Sequence, residues 1–157
     1  MFVPTADSSE DTNLEIKLKT AYLINIISFV RWPHGNDQIV LCVNGNSPVF
    51  QLVSPQNGRL VGDNKFLRIQ RAEMSLEHCD VLYWDATLEG LTHYDSTNEK
   101  AKNLLTISDQ KDALEADFAV QFYTRNLKLR FALNDDVIKR ANYSVSSKLM
   151  RLSKQVD

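Results

Sequence analysis

Cysteine, proline and glycine are all scarce in this chain. Among its 157 residues there are 2 cysteines, 4 prolines and 5 glycines. Two cysteines are too few for a disulfide scaffold, and the chain contains no repeat and no Pro-rich or low-complexity stretch. With 43% apolar and 24% charged residues, the composition is that of an ordinary globular domain, which does not need stabilising cross-links to fold.

An excess of charge of either sign is also missing. The 18 basic and 20 acidic side chains give a formal net charge of −2. The basic residues are scattered along the chain instead of clustering, so nothing in the charge pattern attracts a polyanion. Nucleic acid is therefore excluded as an expected partner.

No apolar run reaches the roughly 18 residues that a membrane-spanning helix requires, so we do not expect a membrane-embedded protein. The stretch from Ala21 to Val30 follows an acidic leader and lacks a small-residue cleavage site, so it is predicted to be mature structure. The polar start suggests a stub left after a signal peptide was removed. We predict a disordered segment over residues 1–12 and a single domain over residues 13–157.

One helix dominates the first part of the chain. Thr12 and Glu15 form a capping-box pattern, and Pro33 closes the apolar segment that follows. The spacing predicts a helix from about Asn13 to Trp32 that is apolar on nearly every side. Such a helix is buried between two packing partners.

The remaining patterns indicate an α/β fold. Continuous apolar runs at 38–43, 80–84 and 104–107 predict central strands, and the weaker pattern at 59–71 predicts an outer strand. Period-two alternation on both sides of Arg125-Asn126 predicts a C-terminal antiparallel hairpin. Helical segments are predicted at 48–53, 88–102, 137–141 and 146–155. Together they predict a layered sandwich with a mixed sheet of five to six strands and helices on both faces.

No reaction centre is visible in the sequence. The three histidines, His34, His78 and His93, do not combine with the cysteines or Asp95 in any familiar zinc spacing, and GxSxG, HExxH and phosphate-loop motifs are missing. We therefore expect neither an enzyme nor a cofactor. A cleft beside Gly45 and Ser47, at the carboxyl end of a strand, leaves a small-ligand sensor as the alternative function.

Cys42 and Cys79 lie on or beside two of the predicted central strands. If these strands are neighbours, their Cα atoms can approach to the roughly 5.5 Å that a disulfide tolerates. Two buried free thiols fit the same pattern. The residues alone leave both alternatives open.

Five blocks in order resemble the YfiR family of small periplasmic proteins. The blocks are LKTAYLINIISFVRWP, IVLCVNGNSPVF, CDVLYW, LLTISD and LKLRFALNDDVIKRANYSVSSKLMRL, which together span most of residues 18–152. In one place the chain departs from the family pattern. Ala116-Asp117 stands where the family usually has a glycine pair, and the cysteines often found there are absent. A role tied to that loop is therefore not carried over.

The resemblance implies a periplasmic, non-enzymatic repressor. Such a protein binds the periplasmic domain of a membrane-anchored diguanylate cyclase, is sequestered by an outer-membrane lipoprotein, and forms a homodimer. The oxidising periplasm favours a Cys42–Cys79 disulfide.

Charged and aromatic side chains usually dominate such interfaces, and this rule suggests where a partner binds. Candidate contacts are Arg31 and Trp32 at the end of the first helix, and Lys148 and Arg151 on the last helix. The alternative for Trp32 is a core position, and for the two basic residues of the last helix it is solvated surface.

Overall fold

The computed structural model describes residues 6–32, 35–44, 46–72, 76, 78–86, 88, 103–141 and 143–154. They form four α-helices and nine β-strands, connected in part by short 3-10 turns at Ser54–Gln56 and Gly62–Asn64. The helices are α1 (Ala6–Phe29), α2 (Pro48–Val53), α3 (Asp135–Arg140) and α4 (Ser147–Lys154). The strands are β1 (Val30–Arg31), β2 (Gln38–Val43), β3 (Leu60–Val61), β4 (Lys65–Arg71), β5 (Val81–Trp84), β6 (Leu105–Ser108), β7 (Val120–Arg125), β8 (Lys128–Leu133) and β9 (Ser144–Val145).

Both predicted boundaries of the first helix were wrong. The helix begins at Ala6 instead of about Asn13, and it ends at Phe29 instead of Trp32. It ends early because the next two residues pair as β1 with β9, and Ser146 N–H donates to Phe29 O at 3.2 Å. The division into a disordered segment 1–12 and a domain 13–157 stays a prediction.

Seven strands form one sheet in the order β3-β4-β2-β5-β6-β7-β8. The five inner strands run parallel to one another, and the edge strands β3 and β8 run antiparallel to β4 and β7. The fold class is therefore the predicted mixed α/β sandwich, although the predicted strand count of five to six was too low. The extra strand arises because the Gly62–Asn64 turn splits one predicted strand into β3 and β4.

The C-terminal hairpin is present, with its turn one residue later than predicted. Asn126 and Leu127 form the turn, with φ angles of 52° and 63°. Positive φ at both central residues is the geometry of a type I′ turn, which matches the twist of the two flanking strands. The sequence pattern counted Leu127 as a strand residue because it is apolar, but its side chain is 99% exposed.

One face of the sheet packs against the helices. Leu23 and Ile27 of α1, Val53 of α2 and Leu149 of α4 belong to the same buried cluster as the inward side chains of the strands. The opposite face buries a smaller cluster around Leu82. The helix predicted over 88–102, which would cover this second face, lies almost entirely outside the described residues.

Candidate functional site

An apolar groove opens between α1, β8 and α4, and we call it the α1–β8–α4 groove. Its cavity has a volume of about 200 Å³. This is less than the roughly 300–1,000 Å³ of most small-molecule sites, so its size suits a side chain of a partner protein better than a free ligand. The lining residues are Tyr22, Asn25, Ile26, Phe29, Leu129, Arg130, Phe131, Leu149 and Leu152.

Tyr22 forms the floor of the groove. Its ring packs edge-to-face against Phe122 and Phe131, with centroid separations of 6.2 and 6.1 Å. Its hydroxyl donates to the carbonyl oxygen of Leu129 at 3.2 Å. Because aromatic packing and a hydrogen bond both hold this ring, the floor is preorganised for contact.

The margin of the groove is cationic. The Lys148 ammonium group lies 5.3 Å from the centroid of the Phe29 ring. Arg130 lines the groove, and its buried Nε has no hydrogen-bond partner among the described residues. No carboxylate occurs among the lining residues, whereas Leu152 remains 40% exposed. This surface therefore favours an apolar side chain flanked by negative charge.

The structure separates the four predicted contact residues. Trp32 is only 6% exposed, donates from Nε1 to Ile27 O at 3.4 Å, and packs edge-to-face on Tyr143 at 5.3 Å. It occupies the core position that the sequence left as its alternative. Arg31 is exposed on β1, and Lys148 and Arg151 are exposed on α4, which also carries two groove residues. Their role in binding stays a prediction.

Neither Tyr22 nor Arg130 is among the contact residues predicted from the sequence. Tyr22 lies in the helix that the sequence predicts to be buried on nearly every side, and this pattern does not show that the residue also lines a groove. Arg130 alternates with Leu129 and Phe131, so the pattern predicts only that it points away from the core. The signal that could have found it is its position on the last strand of the predicted hairpin, where a sheet ends.

The two cysteines form a disulfide, as the resemblance implied. Cys42 of β2 is bonded to Cys79, which precedes β5, with a Cα–Cα distance of 5.9 Å. The strands β2 and β5 are parallel neighbours, so the disulfide links a strand to the segment before the adjacent strand. Both cysteines contact the smaller core cluster.

The polar side chains around Ser47 bond to one another. Asp85 follows β5 and accepts hydrogen bonds from Ser47 Oγ and, at 2.8 Å, from Asn44 Nδ2. Asn44 Oδ1 in turn accepts from Asp85 N–H at 3.1 Å. Gly45 lies outside the described residues. Because these polar groups satisfy one another, the arrangement fixes the ends of β2 and β5 and does not favour a ligand there.

Tyr83, next to this cluster, is a buried phenol. Burial raises its pKa, and the negative charges of Asp109, Asp85 and Glu15 raise it further. Its hydroxyl therefore stays protonated at neutral pH. Within the ranges that the structure describes, no group of three or more His, Cys, Asp or Glu side chains is arranged to hold a metal ion.

Comparison with known proteins places the chain in a family. No helix in the described part of the chain is both long and apolar enough to cross a membrane. A search of curated proteins gives no match. The family model described as DUF4154, YfiR/HmsC-like, matches residues 16–154, which include the groove, the disulfide and every strand. The chain therefore belongs to the YfiR/HmsC-like family.

Proposed function

We propose that this protein is a periplasmic regulator that binds the periplasmic domain of a membrane-anchored diguanylate cyclase and thereby represses cyclic-di-GMP synthesis. Membership of a regulatory family supports this function. The single structural observation that carries the proposal is the α1–β8–α4 groove, an apolar, preorganised surface with a cationic margin.

The groove has the composition of an interface centre. Binding energy at interfaces concentrates in a few aromatic, arginine or apolar contacts that exclude water. Leu152 and Phe29 offer such contacts, and Lys148 and Arg151 attract an acidic partner surface and speed association. Arg31 is proposed as a more distant contact at the end of α1. Trp32 is not part of the proposal, because it is buried.

Two further parts of the proposal rest on the family. The periplasmic location fits a disulfide that ties two parallel strands, since disulfides persist in oxidising compartments. An outer-membrane lipoprotein is proposed to release the cyclase by sequestering the regulator. We also propose a homodimer, for which light scattering should give about twice the chain mass of 17.9 kDa.

Binding should depend on the groove. The purified chain is titrated with the periplasmic domain of the cyclase encoded beside it, and Leu152→Glu is compared with the wild type. Because this change places a charge against an apolar surface, we expect at least about tenfold weaker binding, which corresponds to about 1.4 kcal/mol. Calorimetry gives the dissociation constants.

The matched control is Leu127→Glu, which adds the same charge at the exposed tip of the hairpin and outside the groove lining. It should bind like the wild type. If Leu152→Glu also binds like the wild type, the groove is not the contact surface. If the folded wild type does not bind at tens of micromolar, the proposed function is wrong.

A further inference from the structure

The register of the C-terminal hairpin defines which backbone groups of β8 face away from β7. The type I′ turn is closed by the pair Arg125 and Lys128, and in such a turn this pair exchanges both hydrogen bonds. Just beyond the other end of β8, Asn134 N–H donates to Ala119 O at 2.8 Å, so an even-numbered residue again bonds toward β7. Along an antiparallel pair of strands, hydrogen-bonded residue pairs alternate with pairs that are not hydrogen-bonded. The even-numbered residues of β8 therefore bond to β7, and Leu129, Phe131 and Leu133 direct their N–H and C=O groups outward.

These outward groups lie at the margin of the sheet. β8 is the last strand in the sheet order, and it is six residues long, whereas the opposite margin, β3, has two residues. The Leu129 carbonyl accepts the Tyr22 hydroxyl. For the backbone groups of Phe131 and Leu133 that point outward, no hydrogen-bond partner occurs within the described part of the chain. An edge strand with unpaired backbone groups is a template on which a further strand can pair.

The α1–β8–α4 groove lies against the same strand. Leu129, Arg130 and Phe131 of β8 line it together with residues of both helices. A strand added beside β8 would therefore form main-chain hydrogen bonds with the free edge and direct alternate side chains toward the groove. This combination of edge and pocket is how extended peptides are recognised by strand addition.

We infer that the free edge of β8 binds an extended segment of the partner as an eighth strand of the sheet. The inference rests on the proposed function and specifies the geometry of the same contact. The segment carries an apolar side chain for the groove and a carboxylate for the buried Nε of Arg130, which lacks an acceptor among the described residues.

A second copy of this chain fits the edge less well than a partner does. Symmetric pairing of two copies places the same surface on both sides of the junction. Arg130, Lys148 and Arg151 would then bring positive charge from both copies to one region, and like charges oppose such pairing. An acidic partner segment would instead bring negative charge to these basic residues, and opposite charges favour pairing.

Residue-resolved hydrogen exchange tests the inference on the unmodified protein. NMR exchange rates are measured for the free chain and for its complex with the periplasmic domain of the cyclase. Arg130 and Ala132 amides should exchange slowly in both states, because they bond to β7. Phe131 and Leu133 amides should exchange at least about tenfold more slowly in the complex.

A pair of variants provides a second, independent readout. Leu133→Pro removes an outward N–H that the hairpin does not use, and Leu133→Ala removes the same side chain but keeps the donor. We expect the proline variant to bind the cyclase domain at least about tenfold more weakly than the alanine variant. Circular dichroism of both variants checks that the hairpin is intact.

The outcomes separate this inference from the proposed function. A complex in which the Phe131 and Leu133 amides stay unprotected overturns strand addition and leaves the function standing. Slow exchange of these amides in the free protein, either at all concentrations or only at high concentration, shows that the chain itself or a second copy covers the edge, and it also overturns the inference. If the wild type fails to bind, both are wrong.

Discussion

At the scale of single residues, two tyrosine hydroxyl groups have opposite effects on stability: one is hydrogen-bonded and the other is not. Tyr22 and Tyr83 both contact Phe122, and both belong to or pack against the main core cluster. The Tyr22 hydroxyl reaches the Leu129 carbonyl, whereas the Tyr83 hydroxyl is buried and has no hydrogen-bond partner among the described residues. A buried donor that lacks an acceptor costs about 1–3 kcal/mol, so Tyr83 is a local weakness in the fold.

Removing the two hydroxyl groups should therefore have different effects. Tyr83→Phe is expected to leave the free energy of unfolding unchanged or to raise it by up to about 1 kcal/mol, because it deletes an unsatisfied group. Tyr22→Phe, the matched control, should lower it by about 1 kcal/mol, since a hydrogen bond is lost. Urea denaturation measures both. A loss of more than 1 kcal/mol in Tyr83→Phe would show that the phenol is satisfied in solution.

At the scale of elements, two contacts besides the backbone ladder join the neighbouring strands β2 and β5. The disulfide joins Cys42 of β2 to the residue two positions before β5. At the carboxyl ends of the same strands, Asp85 bonds to Asn44 and Ser47. The pairing of β2 with β5 is thus set by covalent and polar contacts in addition to backbone hydrogen bonds.

The disulfide should contribute substantially to stability. The bond closes a sequence separation of 37 residues, for which the loss of chain entropy corresponds to about 4 kcal/mol. We expect Cys42→Ala with Cys79→Ala to lower the free energy of unfolding by about 2–4 kcal/mol, measured by denaturation without reductant. The reduced wild type is the control and should show a similar loss. A double variant as stable as the oxidised protein would contradict the prediction.

At the scale of the whole molecule, the described part of α1 becomes more buried along its length. Thr12, Asn13 and Leu14 are exposed, and the first buried residue among those described is Thr20. Lys19 forms an ion pair with Asp109 at 2.8 Å, which connects α1 to the end of β6. The division into a segment 1–12 and a domain 13–157 remains a prediction that truncation can test.

We expect deletion of residues 1–12 to change the thermal midpoint by no more than a few degrees, because the first buried residue among those described is Thr20. Deleting residues 1–20 serves as the comparison. It removes Lys19 and Thr20, and we expect a clear drop in the midpoint measured by calorimetry. A large drop after the shorter deletion would place the first helical turns within the folded unit.

The sequence determined the elements whose pattern is local. Continuous apolar runs identified β2, β5 and β6, because strands buried on both faces need apolar residues throughout. The helical pattern at 137–141 identified α3, whose N-cap Asn134 accepts from Val137 N–H at 3.3 Å. The family resemblance also came from the sequence, since it lies in the order of the blocks.

Only the tertiary structure decided which residues form the proposed binding surface. The end of α1 depends on pairing with β9, and Trp32 became a core residue through its contact with Tyr143. The groove joins residues of α1, β8 and α4 that are far apart in the chain. No local pattern encodes such a meeting, because periodicity reports which side of an element is buried and not which other element covers it.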